Sequence, residues 1–166
     1  MIILLATFAI GCSANYKNLY LPDQNYLARR NIETKMFDTD NEKSIIVASA
    51  QVLQDMGYTI KESEVSLGII TAEKNREAGS TAGKVAIVFL SALAGTQPQY
   101  EDTQRFYVNI VTTKMGHGVK TRVLFARRSW DNYGRLLKLE KIEDEALYKD
   151  FFEKLSQSVF LTANDL

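Results

Sequence analysis

Cys12 and His117 are each the sole residue of their type in this 166-residue chain. That limits the chemistry the sequence can support. A lone cysteine excludes an internal disulfide, and one cysteine with one distant histidine leaves little for a zinc site. His117 lies between Gly116 and Gly118 and reads as a solvated loop residue. Gly79-Ser80-Thr81-Ala82-Gly83-Lys84 approaches a phosphate-binding loop. That motif, however, needs four residues between its glycines and a Ser or Thr after the lysine. Here three residues intervene and Val85 follows, so the segment reads as a flexible hinge. Ser13, Ser44 and Ser156 have no partner histidine. Glu42, Glu143, Asp144, Asp150 and Glu153 fall at helix starts and solvent faces. No pairing of nucleophile and base emerges, and the sequence predicts a non-catalytic protein with no cofactor and no metal. Twenty Lys and Arg balance twenty Asp and Glu. Nucleic acid, whose affinity rests on phosphate neutralisation, is therefore not an expected partner. Lys120, Arg122, Arg127 and Arg128 make a local basic group, either a solvated sheet end or a contact for an acidic partner.

Met1 to Gly11 are uncharged and almost wholly apolar. The run is far short of the ~18–20 residues that cross a bilayer and has the length of a signal-peptide apolar region. Ala9-Ile10-Gly11-Cys12-Ser13 ends it and resembles the bacterial lipoprotein processing site. There the cysteine receives a diacylglycerol on sulfur and the preceding peptide bond is cut. The resemblance implies a signal peptide over 1–11 and a lipidated, palmitate-bearing Cys12. Ser13 implies outer-membrane sorting under the enteric rule. Ala9 stands where that family usually carries leucine. No Lys or Arg precedes the apolar run, which predicts a translation start upstream of Met1. A buried N-terminal strand over 1–10 with a structural Cys12 is the alternative. Residues 12–28 read as lipidated cysteine and tether, and a coil of that length spans roughly 20–24 Å.

The domain is expected over 29–166. Ile32, Thr34 and Met36 alternate with polar neighbours and predict a strand over Asn31–Phe37. Thr39 and Glu42 form a capping-box pattern ahead of Ile45, Ala48, Ser49, Val52, Leu53 and Met56 at helical spacing, with Gly57 as the stop. Tyr58–Glu62 and Leu67–Lys74 read as a hairpin. Gln104–Thr113 and Val119–Arg128 form the strongest strand pair, joined by the loop Lys114–Gly118. Pairing Phe106 with Phe125 and Val108 with Val123 places the large apolar residues on one face. Leu136–Ile142 is a short edge strand, and Leu147, Phe151, Leu155 and Val159 mark a closing helix. The prediction is an α+β two-layer sandwich, with a largely antiparallel five- to six-stranded sheet and two amphipathic helices on one face. The other face, with Arg105, Tyr107, Val111, Arg122, Leu124 and Ala126, calls for partial cover, either by residues 84–94 folding back or by a partner.

Inside an insertion over 76–103 lies Val85-Ala86-Ile87-Val88-Phe89-Leu90-Ser91-Ala92-Leu93-Ala94. Two readings stand: a helix packed on the open sheet face, or an exposed docking element for a partner or lipid with Val85, Ile87, Phe89, Leu90 and Leu93 as contacts. Ala50–Ile60, Leu67–Ala72, Leu147–Leu155 and Ser158–Leu161 resemble a group of Gram-negative periplasmic lipoproteins of unassigned activity. The architecture is loosely similar to BamC-type domains of outer-membrane assembly lipoproteins. The resemblance implies a periplasmic, membrane-anchored interaction module of an envelope assembly, secretion or maintenance system, with an envelope protein partner. A carrier or sensor of an apolar ligand, with 85–94 closing a pocket on the sheet, is the alternative.

Overall fold

The computed structural model describes residues 25–163; Cys12, the expected signal peptide and most of the expected tether lie outside the described residues. In chain order the elements are α1 (Tyr26–Ile32), β1 (Thr34–Phe37), α2 (Glu42–Asp55), β2 (Thr59–Glu64), β3 (Ile69–Glu77), α3 (Thr81–Leu93), β4 (Glu101–Met115), β5 (Gly118–Asp131), β6 (Leu136–Lys141) and α4 (Glu145–Ala163). The strands form one antiparallel sheet in the order β1-β5-β4-β3-β2, and β6 also pairs with β5. The α+β class with an antiparallel sheet is as expected, although the described residues hold four helices rather than two.

Period-two patterning explains the core. Ile70, Ile110 and Val123 stand opposite one another across β3, β4 and β5, as do Ala72, Val108 and Phe125. All six are buried on the same face. Onto them α2 lays Ile45, Ile46, Ala48, Val52 and Leu53, and α4 lays Tyr148, Phe151, Phe152 and Leu155. The Phe125 ring meets Tyr148 edge-on at 5.2 Å and Phe151 at 5.9 Å between centroids, the arrangement aromatic quadrupoles favour.

β1 and β6 share one long edge of β5: β1 lies opposite residues 119–122 and β6 opposite 126–130. Between them the β5 backbone would present unpaired groups. Two neighbours close that gap. Val123 N donates to Glu33 O at 2.9 Å. Phe125 N donates to Tyr148 Oη at 3.4 Å, while the Tyr148 hydroxyl donates to Ile142 O at 2.9 Å. Burial raises the Tyr148 pKa, so the phenol keeps the proton it donates.

Several expectations are corrected. Asn31 and Ile32 belong to α1, not to the first strand, and β1 buries Phe37 while Met36 faces out. Asn41, not Thr39, caps α2 by accepting from Ser44 N at 3.1 Å. Glu42 instead accepts from Thr112 Oγ1 on β4 at 2.7 Å. The β4–β5 register differs by two residues from that expected: Val108 faces Phe125, Ile110 faces Val123 and Phe106 faces Arg127. Met115 pairs with Gly118, so the turn is Gly116-His117 rather than a five-residue loop. A shift of two leaves every side chain on its face. Burial cannot distinguish the two registers, and the tight turn decides between them.

The outer sheet face is not covered by residues 84–94. Its own arginines lie over its aromatic rings: Arg128 over Tyr107 at 4.8 Å and Arg105 over Trp130 at 5.7 Å. Glu73 pairs with Lys61 at 2.8 Å, and Arg122 bonds Glu33 through Nη2 at 2.8 Å. Long cationic stems thus shield apolar surface while their heads stay in water.

Candidate functional site

Helix α3 occupies the connection between β3 and β4, narrowing the insertion to residues 78–100. Gly79 turns the chain with φ +74°, and Ser80 then caps the helix by accepting from Gly83 N at 3.1 Å. The segment resembling a phosphate loop is therefore a helix start rather than a hinge. Beyond Leu93 the helix ends at Ala94, and Gly95 takes φ +64°. A Cβ added at Gly79 or Gly95 would meet nothing within 4 Å, so both glycines serve the backbone turn and not a close approach.

The root is tied down firmly. Ala78 N donates to Asp102 O at 2.8 Å. Lys84, the only charged residue of α3, reaches Asp102 Oδ1 at 2.7 Å and lies over the Tyr100 ring at 5.7 Å. The hydrogen bond to Asp102 raises the Lys84 pKa. On the return, Asn132 Nδ2 donates to Pro98 O at 3.0 Å, and Tyr100 N donates to Asn132 Oδ1 at 3.1 Å. The β5–β6 turn that holds Asn132 is itself organised by Asp131. Its buried carboxylate accepts from Tyr133 N at 3.0 Å and from Arg135 N and Nε at 2.8 Å each. Burial pushes the Asp131 pKa up, but these donors and the Arg135 charge together outweigh it and hold it below the usual value.

Above that root α3 buries no residue. Relative exposure is 63% at Val85, 38% at Ile87, 64% at Phe89, 63% at Leu90 and 71% at Leu93. The expectation of a helix packed on the open sheet face is overturned. The five residues singled out in the sequence lie together on an exposed helix. Tyr133 and Leu136, also exposed, stand in and just after the turn that holds the root. Two open grooves, about 390 Å³ beside Phe37, Ser156 and Phe160 and about 440 Å³ beside Phe106 and Arg127, draw no side chain from α3.

The remaining candidates do not converge. His117 sits exposed at the β4–β5 turn. The basic group is divided: Arg127 pairs with Glu140 beside the second groove, whereas Arg122 and Arg128 lie on the outer face. Among the described residues no three His, Cys, Asp or Glu come together as metal ligands, and no helix is long and apolar enough to cross a membrane. Sequence reasoning missed Asp102 and Asn132, which hold the root through contacts distant in sequence. Ser80, a residue type that favours helix N-caps and five positions before the apolar run, was a legible cap. No protein-family model matches this chain, and no curated protein matches it in sequence.

Proposed function

We propose that this chain is a lipid-anchored, non-catalytic interaction module on the periplasmic side of the envelope. It serves an assembly, secretion or maintenance system and docks through α3. One observation carries the reading: a helix of thirteen residues with none buried, rooted on a domain whose core is complete without it. Large exposed apolar patches are uncommon on isolated domains and mark interaction sites. Cys12 at the end of an apolar leader supports membrane anchorage, with Ser13 favouring the outer membrane. An apolar-ligand carrier would need residues 85–94 to close a pocket on the sheet, and α3 leaves those side chains open.

Photo-cross-linking in intact cells tests this. A photoreactive residue at Leu90 is expected to give discrete adducts, while one at Val47, an exposed apolar position on α2, gives few. Equal yields at the two positions would contradict a docking role for α3.

A further inference from the structure

We propose that the surface α3 docks into is the acyl-chain layer of a bilayer, so that the protein holds its membrane at two points. This deepens, and rests on, the docking reading above. The first argument is angular. At 100° per residue, Val85, Phe89, Leu93 and Leu90 take up one half of the helix, and Ile87, Val88 and Ala92 the other, with Ser91 the single polar side chain from 85 to 93. A protein groove clasps one stripe of a helix and leaves the opposite face polar. A helix apolar all round matches a medium that surrounds it.

The second argument is the placement of charge. Lys84 lies at the root, paired with Asp102 and stacked on Tyr100, so immersing the helix carries no charge into hydrocarbon. Lysine and tyrosine at that level are residues that sit at a membrane–water boundary. Exposed Tyr133 lies on the turn tied to the same root. The third argument is length. Beyond Lys84 the residues Val85 to Leu93 make about 14 Å of helix, too short to span and within the roughly 15 Å hydrocarbon depth of one leaflet.

The test separates this contact from lipidation. A chain from residue 12 onward contains every described element. With Cys12→Ser it holds no cysteine, and Leu90→Cys then offers a unique site for a nitrobenzoxadiazole fluorophore. Vesicles of phosphatidylethanolamine and phosphatidylglycerol should blue-shift and brighten the probe several-fold, and doxyl-labelled acyl chains should quench it. The same probe at Val47→Cys should not respond. Adding Phe89→Ser and Leu93→Ser should weaken vesicle binding at least tenfold. No response at Leu90 would overturn the proposal. A concentration-dependent shift without vesicles, with a dimer mass by light scattering, would assign the helix to a second copy and also overturn it. Leu90 adducts in cells that contain protein but no lipid would remove the lipid contact while leaving the docking reading intact. Adducts with neither would remove both.

Discussion

Lys84 Nζ lies 2.7 Å from Asp102 Oδ1, and Asp102 O accepts from Ala78 N at 2.8 Å. One β4 residue therefore grips α3 from both sides of its first turn. Replacing Asp102 with asparagine keeps the backbone contact and weakens the ionic one. Amide exchange in α3 should accelerate several-fold while global unfolding stays unchanged. The pKa of Lys84 is raised, so its contribution is complete below the unfolded value near 10.4 and is lost as pH rises through the higher folded value. Exchange in α3 should then show no pH dependence from this pair between about pH 6 and 9 once intrinsic rates are removed.

Asp131 titrates in the opposite sense. Its folded pKa is depressed, so its stabilisation is present above the unfolded value near 3.9 and fades as pH falls through the folded one. Protection of the Tyr133 and Arg135 amides should hold at about pH 6 and decline below about pH 4. Asp131→Asn should abolish that dependence. An unchanged profile in the variant would show that another group governs the turn.

Tyr148 closes the gap between β1 and β6 with its hydroxyl. Tyr148→Phe keeps the ring against Phe125 but leaves Phe125 N and Ile142 O without that partner. Leaving buried polar groups unpaired costs about 1–3 kcal/mol, which urea unfolding should register. A loss below about 0.3 kcal/mol would show that the hydroxyl is dispensable there.

The sequence made the core legible because burial repeats with the period of each element. Ile45, Val52 and Leu53 on α2, Val108 and Ile110 on β4, and Phe151 and Leu155 on α4 were all readable from spacing. Details set by a turn or a distant partner were not. Gly116 and Gly118 around His117 suggested a loose loop, and only the two-residue turn fixes the register at Met115 with Gly118. Glu42 was three residues from Thr39, yet its carboxylate found Thr112, seventy positions away. The outer face looked in need of cover because spacing does not reveal that Arg128 and Arg105 lie over Tyr107 and Trp130. At the candidate site, the apolar run and the five side chains singled out on it were legible. Whether it packed inward was not, since a helix apolar on all sides carries no directional signal.

The proposed membrane anchor rests on Cys12. Cys12→Ser should remove the diacylglycerol and acyl mass from the N-terminal peptide while leaving the thermal unfolding curve unchanged, because the described core begins after it. An unmodified wild-type peptide still joined to Met1–Gly11 would contradict lipidation.

The account stands most directly on the unfolding free energy of the Phe89→Ser, Leu90→Ser double variant. If α3 serves docking and not the core, urea unfolding should give a value within about 0.5 kcal/mol of the parent, the ordinary range for surface changes. If those side chains are internal cover, each would contribute about 1.5–3 kcal/mol, and a loss of several kcal/mol would contradict the account.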